Sequence, residues 1–125
     1  MQIDIDHLLK MTGGDANLAD EVLEIFRNQA ETWGRMLSAD LDQTEWADAA
    51  HALKGAALSI GAAEFAESCA KVETRGRAEE RASRVEAAAL LSALKDDLVH
   101  VIEACARASY ELSKPGLSRS KDSNS

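Results

Sequence analysis

Between residues 91 and 112, apolar and small side chains recur at alternating steps of three and four residues. They are Leu91, Leu94, Leu98, Val101, Cys105, Ala108 and Leu112. This spacing places them on one face of an α-helix, and its seven-residue period predicts that the helix wraps left-handedly against its neighbours. Because a lone helix cannot bury such a face, the repeat predicts a bundle of antiparallel helices that cross at about 20°.

Composition favours the same all-α class. The chain has 125 residues, enough for one domain, and 46% of them are hydrophobic, enough for a buried core. One proline and five aromatic residues leave little material for an all-β sandwich. Alanine, leucine, glutamate and arginine, which favour helices, dominate instead.

Glycines and capping residues divide the chain into five helices. A short first helix stops at Gly13-Gly14, and Asp15 is expected to cap a long second helix that runs out near residues 40–42. Asp42 or Thr44 should cap the third helix, which breaks around Gly61. The second helix is expected to bury one face, made of Leu18, Val22, Ile25, Phe26, Gln29, Trp33, Met36 and Leu37.

The architecture predicted from these elements is an antiparallel up-down four-helix bundle with a short N-terminal helix packed across one end. The bundle should span residues 1–112. From residue 113 onward Pro115, Gly116 and a serine-rich run end the periodicity, so residues 113–125 are predicted to form a disordered tail.

Charge and hydropathy exclude several classes of function. A formal net charge of −8 disfavours nucleic acid as a partner, and no apolar run approaches the roughly 20 residues of a membrane span. The N-terminus has no signal-peptide pattern. Cys69 and Cys105 fall in helical patterns that suit buried thiols in a reducing compartment. We therefore expect a cytoplasmic protein.

On the third helix, His51 lies almost opposite the predicted buried stripe, so it should face water. Lys54 and Gly55 follow one turn later, where an ammonium group and a missing side chain would flank the imidazole. Leu58 adds an exposed apolar side chain on this face, and Ala47 and Asp48 extend the patch by one turn. A mid-helix glycine costs roughly 1 kcal/mol relative to alanine, so its presence calls for a reason.

Glu73 on the fourth helix should reach the same histidine. If the third and fourth helices form an antiparallel hairpin about Gly61, Glu73 and His51 lie at similar heights on the bundle. A carboxylate there could accept the proton of one ring nitrogen and leave the other nitrogen free as an acceptor.

Residues 50–62 resemble the H-x-L-K-G-(x)5-G-A signature of histidine-containing phosphotransfer (HPt) domains of bacterial two-component phosphorelays. The matching residues are His51, Leu53, Lys54, Gly55, Gly61 and Ala62. Residues 69–73 resemble the cysteine, apolar and acidic run of that family's next helix. The chain departs from some members at two places: alanines follow Gly55 where a small polar residue can stand, and glutamate replaces glutamine at Glu73.

The resemblance implies a phosphocarrier and not an enzyme. His51 would accept a phosphoryl group from a phospho-aspartyl receiver domain and relay it to another receiver. Lys54 would neutralise charge, Gly55 would give access, and Glu73 would support the ring. The implied partners are response-regulator receivers and a hybrid histidine kinase, docked on a patch of Ala47, Asp48, Leu58 and Lys71. The chain needs no cofactor of its own, with Mg²⁺ expected in the receiver, and it should be a monomer.

Two other interpretations stay open at this point. An adaptor could dock a receiver or kinase through the same patch without any phosphate moving. A metal site at His51 is disfavoured, because Asp48 adds only one plausible further ligand.

Overall fold

The computed structural model describes residues 1–114, which form five α-helices and no strand. The helices are α1 (Ile5–Met11), α2 (Ala16–Gly34), α3 (Gln43–Ser59), α4 (Ala63–Arg77) and α5 (Arg84–Ser113). Helix α2 packs against α3 and α5, and α4 packs against the same two helices, so the four long helices share one core. The all-α prediction is confirmed. Of the predicted tail, residue 113 ends α5, and residues 115–125 lie outside the described residues.

The predicted capping residues begin the helices. The Asp15 carboxylate accepts hydrogen bonds from the backbone amides of Asn17 and Leu18, at 3.0 and 3.1 Å. Asp42, and not Thr44, caps α3, since its carboxylate accepts from the Thr44 amide at 3.2 Å. Each such cap satisfies an amide that the first helical turn leaves without a partner, and is worth about 1 kcal/mol.

The seven-residue repeat of α5 forms the wall of the core. All seven of its members are buried, with at most 6% of any residue exposed. Burying a leucine side chain contributes roughly 1.5–3 kcal/mol, so this wall supplies a large share of the driving force for folding.

The predicted buried face of α2 is wrong in part. Leu18 and Ile25 are 43% and 56% exposed. The core side of the helix is instead made of Ala16, Ala19, Leu23, Phe26 and Ala30. Leu18 and Ile25 mark a neighbouring face, and the core side combines Leu23 and Phe26 with three alanines. The helix also ends earlier than predicted, at Gly34, where an added Cβ would stand 3.1 Å from Leu98 Cδ2.

The turn between α3 and α4 receives the N-terminal segment. Gly61 adopts φ +73°, a left-handed conformation that residues with a side chain rarely take. Its carbonyl accepts a hydrogen bond from the Asp4 amide at 3.1 Å, and an added Cβ would stand 3.1 Å from the Asp4 carbonyl oxygen. Glycine is therefore required here both for the turn and for the close approach.

Within residues 1–114, none of the helices combines the length and the apolar character that crossing a membrane would need.

Candidate functional site

Helix α3 buries one stripe and presents His51 on the opposite side. The buried stripe is the predicted one: Trp46, Ala49, Ala50, Leu53, Ala57 and Ile60. The imidazole of His51 is 64% exposed. The predicted exposure of this histidine is confirmed.

Helix α4 runs antiparallel to α3 and packs against it closely. Gln43, at the start of α3, donates from Nε2 to the carbonyl of Gly76 near the end of α4, at 3.1 Å. An added Cβ at Gly76 would stand only 2.6 Å from Ala47 Cβ. This close contact positions the outer edge of α4 beside the exposed side of α3.

Glu73 projects from that edge and binds two side chains of α3. Its Oε2 lies 2.9 Å from His51 Nδ1, and its Oε1 accepts a hydrogen bond from Lys54 Nζ at 2.9 Å. The glutamate side chain is only 16% exposed. The hydrogen bond from Lys54 is the main cause that lowers the pKa of Glu73 below its usual value, so the group is an anion near neutral pH.

The charge of Glu73 assigns the tautomer of His51. An ionised carboxylate only accepts hydrogen bonds, so Nδ1 carries the proton in this contact. When the ring is neutral, the other nitrogen, Nε2, then has the lone pair, in a ring open to solvent. The predicted contact between Glu73 and the imidazole is therefore present, with the geometry of an orienting carboxylate.

The surface next to the ring is open on the side of Gly55. Apart from its chain neighbours and the nearby backbone of α3, no heavy atom of residues 1–114 lies within 4 Å of the position where a Cβ of Gly55 would stand. Leu58, one turn further along the same face, is 55% exposed. Asp48 is exposed on the N-terminal side of His51. These α3 residues form one continuous surface around the imidazole.

Two residues of the predicted docking patch do not join this surface. Ala47 is fully buried, because α4 packs directly on it through Gly76. Lys71 is exposed, but it lies beside a groove between α4 and α5 that Leu90, Ala93 and Asp97 also line. The packing of α4 corrects the assignment of Ala47 to an exposed patch, while a docking role of Lys71 stays a prediction.

Arg77 belongs to the site, although the sequence did not single it out. Its Nη2 lies 2.7 Å from Asp48 Oδ1 and 3.7 Å from Glu73 Oε2. The sequence holds a signal for it, since Arg77 follows Glu73 by four residues and so lies on the same face of α4. The imidazole is thus flanked by two cations, Lys54 and Arg77, and two carboxylates.

Both cysteines of the chain lie in the core. Burial raises the pKa of Cys69 to about 12 and that of Cys105 to about 11, so both thiols stay protonated near neutral pH. Both are free of disulfides. Across residues 1–114, no three His, Cys, Asp or Glu side chains are grouped so as to hold a metal ion. The imidazole of His51, by contrast, is largely exposed.

The protein-family model described as Hpt domain matches residues 18–109, which include both helices of the site. The chain belongs to the Hpt domain family. This confirms the resemblance that the His51 motif indicated.

A solved structure agrees with the assignment. The Hpt chain is 31% identical to histidine phosphotransferase ShpA from Caulobacter crescentus, with a TM-score of 0.54, over 86% of this chain and 97% of that one. No curated protein matches the chain. Hpt domains are phosphocarriers that work with response-regulator receivers and histidine kinases, so this Hpt protein has a phosphotransfer role in two-component signalling.

Proposed function

We propose that His51 is the phosphorylated residue, and that it accepts a phosphoryl group from a phospho-aspartyl receiver domain and relays it to a second receiver. The observation that carries the proposal is the 2.9 Å contact between His51 Nδ1 and Glu73 in a ring that is 64% exposed. It supports an imidazole that is held in one tautomer while its Nε2 remains accessible to a partner.

The proposed reaction is an in-line exchange at phosphorus. The lone pair of His51 Nε2 forms the new P–N bond, the P–O bond to the receiver aspartate breaks, and its electron pair leaves with the aspartate carboxylate. Transfer to the second receiver reverses these bonds with a different aspartate. Because phosphoryl transfer passes through a loose transition state, position and charge matter more than covalent assistance. Lys54 and Arg77 supply positive charge beside the ring, and Gly55 leaves room for the receiver.

We propose that the partner receiver supplies the metal ion that the transfer needs. A receiver domain would supply Mg²⁺, and this chain would contribute no cofactor of its own. A hybrid histidine kinase is the proposed origin of the phosphoryl group. The receiver would dock on the α3 surface of Asp48, Gly55 and Leu58, without nucleic acid or membrane as a partner. Two free, buried thiols suit a reducing compartment, which supports the cytoplasm as the proposed location.

The proposal includes the arrangement of the bundle. We infer an up-down order of α2 to α5, with α1 across one end and the protein acting as a monomer. The Asp20–Ser109 and Gly34–Leu98 contacts support antiparallel α2 and α5. The Asp4–Gly61 hydrogen bond supports the placement of the N-terminal segment at the α3–α4 turn.

The experiment is phosphoryl transfer from a purified, phosphorylated receiver domain to the full chain. The wild-type protein should gain acid-labile, alkali-stable phosphate, and His51→Ala should gain none while its helical circular dichroism is unchanged. Equal labelling of the variant would refute the assignment of His51. Binding of the receiver by both proteins without labelling of either would favour the adaptor interpretation.

A further inference from the structure

Glu73 does more in this geometry than orient the imidazole. One carboxylate oxygen contacts His51 Nδ1, and the other accepts from Lys54 Nζ. Before any phosphoryl group arrives, the ammonium group beside the histidine is therefore already paired with an anion. The imidazole and the lysine share a single, nearly buried carboxylate.

A phosphoryl group on Nε2 would face this carboxylate across the ring. It carries about −1.5 to −2 charge near pH 7. It would compete with Glu73 for Lys54, and its charge has the same sign as that of Glu73. Both effects raise the free energy of the phosphorylated state relative to the free histidine. A neutral side chain of the same shape would lack the negative charge from which both effects arise.

Glu73 also acts on the proton at Nδ1. An adjacent anion favours the ring that keeps this proton after Nε2 is phosphorylated. When a receiver aspartate, or water, then attacks phosphorus, the P–N bond breaks and its electron pair returns to Nε2. With the Nδ1 proton retained, the ring leaves as a neutral imidazole, a better leaving group than an imidazolate.

We propose that Glu73 is a positioning residue that sets the transfer potential of phospho-His51, shortening its lifetime and favouring delivery to a receiver. This inference rests on the proposed function of His51.

Other charged groups face the ring and modulate the effect. Asp48 and Lys54 do so from α3, and Arg77 does so from α4. Arg77 lies nearer to Asp48, at 2.7 Å, than to Glu73, at 3.7 Å, so it does not neutralise Glu73 as Lys54 does. Glu73 is the one of these groups that touches the imidazole itself.

The experiment compares Glu73→Gln with the wild-type protein and with Glu67→Gln. Glu67 is an exposed carboxylate earlier on α4, so its replacement removes the same charge away from the ring. Each full-length protein is phosphorylated with phosphoramidate, and the decay of phosphohistidine is followed by phosphorus NMR across the pH range. Melting temperatures check that all three proteins fold.

We expect phospho-His51 to last about tenfold longer in Glu73→Gln than in the other two proteins. The acid-accelerated limb of the decay should begin at higher pH in the wild type, because Glu73 favours the protonated ring. If Glu73 had only a structural role, the pH at which the decay rate is halfway up this limb would be the same in all three proteins.

Two outcomes would overturn the inference, and they are distinguishable. If all three proteins form phosphohistidine with lifetimes within twofold and one common pH midpoint, the role of Glu73 is wrong and that of His51 stands. If none forms phosphohistidine at residue 51, the proposed function fails and the inference fails with it.

Discussion

Two glycines on the facing helices α3 and α4 stand in opposite surroundings. Gly55 has open space where a Cβ would be, next to the exposed imidazole. At Gly76 the same atom would stand 2.6 Å from Ala47 Cβ and 2.8 Å from Trp46 Cζ3. At Gly76 the missing side chain lets α3 and α4 meet, whereas at Gly55 no side chain of residues 1–114 fills the space.

The comparison separates the two sides of α3. Its inner side is closed by α4, and Gln43 completes that closure. The Gln43 Nε2 donates to the Gly76 carbonyl at 3.1 Å, and its Oε1 accepts from the Ala82 amide at 3.0 Å. Its outer side, which carries His51 and Gly55, is exposed. A glycine within a helix can therefore serve either close helix packing or an open surface, and the space around the glycine shows which role it has.

Alanine at each glycine should give the sharpest contrast. Gly76→Ala should destabilise the fold by a net ~1–2 kcal/mol, because Ala47 Cβ is attached to the backbone and cannot turn away, so the helices must separate. Gly55→Ala should stabilise it by ~0.5–1 kcal/mol, because alanine favours a helix and nothing opposes it. Urea unfolding of the two variants measures both changes, and equal effects would remove the distinction.

A bulky residue at the open position should affect transfer and spare the fold. Gly55→Gln should slow phosphoryl transfer from a receiver by about tenfold, equivalent to ~1.4 kcal/mol in the barrier, since its side chain occupies the approach to Nε2. Gly55→Ala is the matched control, with a smaller side chain on the same backbone. Transfer kinetics in which Gln is as fast as Ala would refute the access role of Gly55.

The two regions also differ in the interactions that stabilise them. Lowering the pH should reveal this difference in the free energy of unfolding, and we expect this effect to be the smallest of those predicted here. The Gly76 contact is apolar, whereas the His51 cluster is ionic. Because the pKa of Glu73 is lowered from 4.5 by folding, its contribution to stability is complete above pH 4.5 and is lost as the pH falls through the lower folded-state pKa.

Wild-type stability should therefore fall more steeply than that of Glu73→Gln below pH 4.5. Urea unfolding of both proteins from about pH 7 to about pH 3 measures the difference. Glu86→Gln is a useful comparison, because the hydrogen bond from Arg75 lowers the pKa of Glu86 in a cluster away from His51. If the free energies of unfolding of wild type and Glu73→Gln fall in parallel with pH, the Glu73 carboxylate does not contribute to stability.

Local signals were sufficient for much of the fold and for the centre of the site. The buried face of α5 follows from one unbroken repeat, and Asp15 and Asp42 cap helices through amides two or three residues away. The exposure of His51 follows from its angle to the buried stripe of its own helix. The contact with Glu73 needed one further assumption, an antiparallel hairpin about Gly61, which the structure bears out.

The errors arise where a residue's surroundings come from another helix. Ala47 was assigned to the surface, but α4 covers it. Leu18 and Ile25 were assigned to the core because hydropathy on α2 is compatible with two adjacent faces, and the close approach of the other helices selects the alanine-rich one.

The sequence by itself determined that the chain is helical, which residues cap α2 and α3, and that His51 stands away from the core, because these depend on periodicity and on contacts within a turn. Only the tertiary structure decided that Gly76 brings α4 onto Ala47, that Arg77 joins the cluster, and that Glu73 is shared between His51 and Lys54. Those features depend on the distance and rotation between helices, which no single helix encodes.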